Sequence, residues 1–236
     1  MDLTVNIDKS KKKIELMFDE IAPSYDRLNH LFTMNLDLRW RKEIINYIKR
    51  ENFPADNILD VASGTGDLTL ELLSLDAKKI YASDISVNML KIQKSKITDN
   101  RLKLIKADAS NLPFENDYFD IVTIGFGVRN FDRLEKSLNE IKRVIKPGGK
   151  VVILEMFKTS GFGTKLFNIY FGKVMPYFGN KISKSKYAYS YLFRSVDSFL
   201  KVNDFIKLCS NSGFKLEHHK NNFLGIVNTL YLTESS

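Results

Sequence analysis

Asn57-Ile58-Leu59-Asp60-Val61-Ala62-Ser63-Gly64-Thr65-Gly66-Asp67 reads as a short apolar strand that ends on an acid, turns through small residues and opens a helix. Gly64 and Gly66 carry no Cβ, so a ligand can press against bare backbone there. The first N–H groups of the following helix lack intrahelical partners and point at that ligand. A dinucleotide would want G-x-G-x-x-G with an acid about 20 residues further on. Here the register runs Ala62, Gly64, Gly66 and then Asp67-Leu68-Thr69, so the third glycine is missing. Asp67 would also repel a pyrophosphate. A ligand with a cationic end and no phosphate suits such a loop better, and S-adenosylmethionine (SAM) is the common one.

Outward from the loop, periodicity gives alternating elements. Strands are expected over 57–61, 79–83, 102–106, 119–125 and 150–155, with helices over 66–75, 86–95, 132–146 and 197–212. This alternation implies βαβ units and a parallel sheet covered on both faces. Runs at 215–220 and 227–233 read as a closing antiparallel pair. Upstream, Ile14, Met17, Phe18 and Ile21 recur at helical spacing over 9–22, Pro23 closes that helix, and 25–50 continues as one or two more. Lys146-Pro147-Gly148-Gly149 is a stop-and-turn signal. The fold class is α/β, and one domain over 1–236 is expected, with a helical cap over 1–52 and an inserted lid over 156–196.

In a doubly wound sheet the ligand lies beyond the carboxyl ends of the strands. The first strand offers Asp60 and the glycine turn. The second offers Asp84, 24 residues later, where a carboxylate can accept from ribose hydroxyls. The third offers Asp108, placed for an adenine amine, and the fourth leads into Gly125-Phe126-Gly127-Val128-Arg129-Asn130. Taken singly, an Asp after a strand commonly caps a helix or makes a turn. Three acids at successive strand ends beside the glycine turn point to a SAM site. Its expected contacts are Asp60, Ala62, Gly64, Thr65, Gly66, Thr69, Asp84, Ile85, Asp108, Ala109 and Gly125.

The layout resembles the class I SAM-dependent methyltransferases across most of the chain. Four stretches resemble the UbiE/MenG family of quinone C-methyltransferases more narrowly. They are Tyr25-Asp26-Arg27-Leu28-Asn29 with Trp40 downstream, Asp60 to Thr69, Phe126-Gly127-Val128-Arg129-Asn130, and Arg143 to Gly149 followed by Leu154-Glu155. The chain departs from the family pattern at Thr33 (usually Ser), Asp37 (often His), Gly125 (a Ser expected to touch the methionine part of SAM) and Phe157 (Ser). The resemblance implies a Rossmann-like, mostly parallel seven-stranded sheet, SAM as methyl donor and methylation of a ring carbon of a polyprenylated hydroquinone. Demethylmenaquinol is the expected substrate; the benzoquinol of ubiquinone synthesis is the alternative. It also hints at a homodimer. A phenol-type ring becomes a carbon nucleophile when its hydroxyl loses a proton, so the site needs a stabilising charge and a proton acceptor. Arg129 is the candidate charge, Asn130 could orient the hydroxyl, Asp26 and Asp37 are candidate bases, and Tyr25 could donate or accept nearby. Blander roles exist for each: Arg129 paired with Asp120 or Asp132, Asp26 capping a helix, and Trp40 in the core.

The chain has 236 residues and a net charge of +8. The segment 156–196 holds seven Lys or Arg, no Asp or Glu, and eleven of the 28 aromatic residues. Basic and aromatic without acid is the composition of a surface for anionic membrane. Nucleic acid, or a lid with its lysines in solvent, fits the same numbers. Phe162, Phe167, Tyr170, Phe171, Tyr177 and Phe178 are expected to cover the pocket and meet a prenyl tail, with the Tyr187–Leu192 stretch closing over the ring. No run reaches the roughly 18 apolar residues of a membrane span, and no signal peptide is evident. A cytoplasmic enzyme, peripheral at the membrane, is expected. Cys209 is alone and there are three His, so neither a disulfide nor a structural metal is expected. Rival readings are a SAM enzyme acting on a sterol, another small phenol or an RNA base, and a non-catalytic SAM- or lipid-binding module.

Overall fold

The computed structural model describes residues 10–159 and 188–235. Within them, β1 (Asn57–Val61), β2 (Lys79–Asp84), β3 (Leu102–Lys106), β4 (Phe119–Gly125), β5 (Ile145–Met156), β6 (Phe214–Phe223) and β7 (Val227–Glu234) form one sheet in the order β3-β2-β1-β4-β5-β7-β6. Every pairing from β3 to β5 is parallel. β7 runs antiparallel to both β5 and β6. The apolar strands β1, β4 and β5 are nearly continuous in Val, Ile and Leu because both of their faces are covered. Ile58, Ile121 and Val152 pack on one face of the sheet, and Leu59, Val122 and Ile153 on the other.

The helices are α1 (Lys11–Ile21), α2 (Tyr25–Thr33), α3 (Leu36–Arg50), α4 (Asp67–Leu72), α5 (Val87–Lys96), α6 (Leu134–Val144), α7 (Ala188–Asp197) and α8 (Val202–Asn211). The order of strands reverses between β1 and β4, so a crevice opens at their carboxyl ends. Trp40 is buried beside Phe126 in the core. Cys209 is buried too, and burial pushes its thiol up to about 12, which makes it inert packing.

Of the one or two helices expected over 25–50, the structure has two. Met34 and Asn35 both take left-handed backbone there (φ 52° and 60°) without a glycine to announce it. Two expectations are corrected. The helix expected over 197–212 begins only at Val202; Asp197 ends α7 instead. Lys146 to Gly149 lies within the bulged start of β5, where the register slips between Phe119 and Ile121. The lid expected over 156–196 falls mostly outside the described residues, and Phe162, Phe167, Tyr170, Phe171, Tyr177 and Phe178 lie there, as do residues 1–9 of the cap. Among the described residues, no helix is long and apolar enough to cross a membrane.

Candidate active site

The glycine loop and the loop facing it take their shape from four left-handed backbone positions. Ala62, Gly64 and Gly66 have φ of 53°, 57° and 89°, and Phe126 on the facing loop has 60°. The two glycines serve different ends. A Cβ on Gly64 would meet nothing within 4 Å, and the residue lines the cleft, so its bare backbone is open to a ligand. A Cβ on Gly66 would stand 2.6 Å from Gln93 Cγ. Gln93 is the brace beneath the loop: it donates to Thr69 Oγ1 (2.9 Å) and accepts from Ser63 Oγ (3.0 Å). The sequence gives no sign of this role, since a lone amide in a helix carries no motif.

Asp60 stands behind this loop. Its carboxylate accepts from Thr69 Oγ1 (2.6 Å) and Thr123 Oγ1 (2.8 Å), and burial pushes it up to about 6. Among the expected SAM contacts, Asp60, Thr65, Gly66 and Thr69 are absent from the cleft wall; Thr69 donates to Asp60, Thr65 to Asp26 of α2, and the Gly66 N–H to the Ser63 carbonyl. Ala62, Gly64, Asp84, Ile85, Asp108, Ala109 and Gly125 do line it. The cleft is partly open to solvent and encloses about 90 Å³.

Asp84 accepts from the N–H of Gly64 and of Ser86, each at 2.8 Å, yet burial outweighs these bonds and pushes it up to about 6. Asp108 accepts from the Ser110 N–H at 2.9 Å. Gly127 lets the β1 and β4 loops touch, since a Cβ there would stand 2.8 Å from that of Ala62. Ile14, Phe18 and Met89 complete an apolar wall. By periodicity alone the first two belong to a helix core; only the docking of α1 over the crevice turns that face toward a ligand.

A second, smaller cavity of about 50 Å³ adjoins the first and shares Phe18 and Tyr25 with it. Its other walls are Met17, Ile21, Ser24, Leu28, Asn29, Arg129, Tyr191 and Leu192. Arg129 is its cation. The guanidinium is buried and meets Glu155, not Asp120 or Asp132: Nη1 lies 2.5 Å from Glu155 Oε1 and 2.8 Å from the Phe126 carbonyl. Asp120 is held by Lys146 (2.5 Å) and the Asn57 N–H (2.8 Å). Burial opposes the Arg129 charge, but Glu155 outweighs it and keeps the guanidinium protonated. Burial likewise holds the Tyr25 hydroxyl in its neutral form despite the nearby cations Arg129 and Arg41. Asn130 lines the first cleft and accepts from Tyr191 Oη at 3.0 Å.

Asp26 and Asp37 line neither cavity. Asp26 accepts from Thr65 and pairs with Lys96 (3.0 Å). Asp37 accepts from Thr33 Oγ1 (2.6 Å) and Arg41 Nη1 (2.6 Å) and lies 2.9 Å from His30 Nδ1. Burial raises the Asp37 carboxyl, but Arg41 and Thr33 outweigh it and hold it below its ordinary value. Two of the departures from the family pattern, Thr33 and Asp37, are thus partners of each other. His30 and Arg41 reach on to Asp67 (3.5 and 3.9 Å), which also meets Lys96. This chain of charges ties α2 and α3 to the glycine loop. His30, Asp37 and Asp67 offer ligand atoms within 4.8 Å of one another, but Arg41 and Lys96 already supply the positive charge there. Phe157, a third departure, is core beside Phe199 and Phe205. Gly125 has room for a side chain only against Leu68 Cδ2, 3.3 Å from where a Cβ would stand.

Comparison with known proteins agrees with this geometry. A family model described as the ubiE/COQ5 methyltransferase family matches residues 6–232. The chain is 40% identical over 212 residues to a protein of Chlorobaculum tepidum named demethylmenaquinone methyltransferase, covering 88% of this chain and 86% of that one. It is 39% identical over 231 residues to a protein of Geotalea daltonii named ubiquinone/menaquinone biosynthesis C-methyltransferase UbiE, covering 94% of this chain and 96% of the other. Among solved structures, a SAM-dependent methyltransferase from Thermotoga maritima superposes with a TM-score of 0.62 at 18% identity, over 93% of this chain and 99% of that one. At that identity the likeness speaks for the fold alone.

Proposed function

The chain belongs to the ubiE/COQ5 methyltransferase family, and on that premise we propose that it is a SAM-dependent C-methyltransferase converting demethylmenaquinol to menaquinol. One observation carries the reading: an acid-lined cleft shares Tyr25 and Phe18 with an apolar cavity whose cation is the buried Arg129. The residues of the first cleft fit SAM. Gly64 leaves the backbone bare, Asp84 would offer acceptors to ribose hydroxyls, Asp108 would accept from an adenine amine, and Ile14, Phe18 and Met89 would supply apolar cover. Ala62, Ile85, Ala109 and Gly125 complete the binding wall, while Asp60, Thr65, Gly66 and Thr69 hold the loop in shape. Bound SAM supplies an electrophilic methyl group already activated by its sulfonium.

The chain's own task is then to orient the ring and raise its nucleophilicity. Arg129 stabilises negative charge on the ring oxygen, in a water-poor cavity where such a charge counts for more than in bulk water. Tyr25, kept neutral by burial, is a hydrogen-bond donor to that oxygen, and Asn130 orients it. Among the described lining residues of the second cavity there is no carboxylate, and Asp26 and Asp37 are committed to Lys96, Thr65, Arg41 and Thr33. We therefore assign these two acids to holding the cap on the loop, give the rate gain to Arg129, and assign the hydroxyl proton and the ring proton displaced by the methyl group to solvent water. Mass spectrometry of mixtures of SAM with a reduced demethylmenaquinone tests the whole: one added methyl is expected, and no product from protein that still binds SAM would overturn it. The Geotalea relative's name supports a second substrate, so a reduced demethylated benzoquinol belongs in the same experiment. A methyl on both would make the enzyme dual.

SAM binding should depend on acidity. Burial pushes Asp84 up to about 6, and the ionised form is the one that accepts from the ribose. Affinity is therefore full above that value and falls as pH drops through it, by about tenfold per unit if one proton is linked. Calorimetry between pH 7.5 and 5 checks this, and Asp84→Asn should flatten the profile; a pH-independent wild type would rule the linkage out.

A prenylated substrate brings the protein to a lipid surface. The composition of 156–196, the proposed lid, supports docking on anionic lipid, as do the exposed Leu16, Leu31 and Met34 on and beside the cap helices that line the second cavity. Sedimentation with phosphatidylserine vesicles should show binding that high salt weakens; no binding at any salt would remove the proposal. A homodimer belongs to the same family-based reading and is checked by light scattering.

A further inference from the structure

Helix α7 touches both candidate residues of the β4 loop from one side. Tyr191 Oη donates to Asn130 Oδ1 (3.0 Å), and Ser195 Oγ, one helical turn later, accepts from Arg129 Nε (3.3 Å). Ser195 donates in turn to the Leu192 carbonyl (2.8 Å), which fixes its lone pairs toward the guanidinium. Both side chains are buried, at 5% and 0% exposure. Tyr191 also packs on Ile14 and Met17 of α1 and lines the second cavity, whereas Asn130 lines the first. The Tyr191–Asn130 bond thus spans the wall between the two cavities.

A carboxamide can present either its oxygen or its nitrogen, because its terminal torsion is broad and roughly two-fold. Here Oδ1 is taken by the tyrosine hydroxyl, and Nδ2 leans on the Phe126 carbonyl (3.5 Å). The amide is therefore held in one orientation. The guanidinium is held likewise: Nη1 goes to Glu155 and Phe126, and Nε to Ser195.

We propose that Tyr191 and Ser195 are positioning residues for the methyl transfer: Tyr191 fixes which end of the Asn130 amide meets the ring hydroxyl, and Ser195 fixes the plane of the Arg129 guanidinium. The proposal rests on the quinol methyltransferase reading above. It adds residues to which neither the strand-end acids nor the glycine loop points. Positioning acts on the rate of the chemical step, and because Tyr191 and Ser195 do not themselves line the first cleft, SAM affinity should change little.

The test is steady-state turnover of reduced demethylmenaquinone by the full chain, read with SAM affinity and melting temperature. Tyr191→Phe keeps shape and removes only the hydroxyl. It should lower kcat about tenfold, the weight of one hydrogen bond realised in the transition state, with SAM affinity unchanged. In an Asn130→Ala background the same change should do nothing further, because the group it positions is gone. Unchanged kcat in Tyr191→Phe, or an equal loss in both backgrounds, would overturn the proposal. Should Tyr191→Phe fail to fold, Ser195→Ala in wild-type and Arg129→Lys backgrounds gives the same comparison: a loss confined to the wild-type background supports positioning, and no loss or an equal loss in both overturns it. A wild type that methylates no quinol would sink the functional reading instead, so the two failures are distinguishable.

Discussion

Arg129→Ala is expected to lose menaquinol formation by about 10²–10³ in kcat while keeping SAM affinity, because Arg129 does not line the first cleft. It should also lose stability. Glu155 is fully buried and bonded to Arg129 at 2.5 Å, and removing one partner of a buried pair costs roughly 3–5 kcal/mol. A drop in activity alone would therefore be ambiguous between lost chemistry and lost fold.

The pair can be removed whole. Arg129→Met combined with Glu155→Leu leaves no uncompensated charge, and such replacements of a buried pair are often neutral or stabilising. The double variant should bind SAM yet remain inactive, and it should melt below the wild type because Glu155 also accepts from the backbone N–H groups of Arg129 and Met156. Arg129→Lys should fall between, since a lysine keeps the charge but loses the fork that holds Glu155 and the Phe126 carbonyl together. Turnover of the folded double variant within about threefold of wild type would show that the cation contributes nothing to transition-state stabilisation. The assignment of the rate gain to Arg129 would then fail.

The parts of the fold legible from the sequence are those set by local pattern. Apolar runs such as Ile121-Val122-Thr123-Ile124 and the small-residue turn after Asp60 carry their periods and breaks within a few residues. The strand-end acids follow, because the topology of such sheets puts strand ends together. What escapes the sequence depends on contacts distant along the chain. Asp60 and Asp84 read alike, but Thr69 and Thr123 draw Asp60 behind the loop, while Asp84 stays on the cleft wall. Glu155 becomes the partner of Arg129 because β4 and β5 are neighbours in the register that sets Gly125 beside Leu154. A signal for it does exist: an acid inside Val152-Ile153-Leu154-Glu155-Met156, a strand with no solvent face, must find a cation. Asp26 and Asp37 show the same limit, since a carboxylate near a motif does not reveal that Lys96 and Thr65 pair with the first, or Arg41 and Thr33 with the second.

Gly64→Val should abolish SAM binding, raising Kd by more than about 100-fold, with a smaller effect on folding. Two costs combine. Gly64 sits at φ 57°, and a β-branched residue at positive φ is a genuine outlier, strained by roughly 1–3 kcal/mol. The isopropyl group would then occupy space on the cleft floor where a Cβ meets no protein atom within 4 Å. That is space the protein leaves unfilled and a ligand must use. Gly66→Ala provides the contrast. Its Cβ would stand 2.6 Å from Gln93, so the damage falls on the buried brace of Ser63, Thr69 and Gln93 and should show first as a lower melting temperature. Calorimetric SAM affinity and thermal melts of both variants separate the two roles. If Gly64→Val bound SAM as well as wild type, the bare backbone at Gly64 would not be the floor of the cofactor site, and the cleft at the β1–β4 switch would have to hold its ligand from the acidic wall alone. That result would shift the weight of binding onto Asp84 and Asp108, and would move the decisive contact from the loop that defines the fold to the ends of β2 and β3.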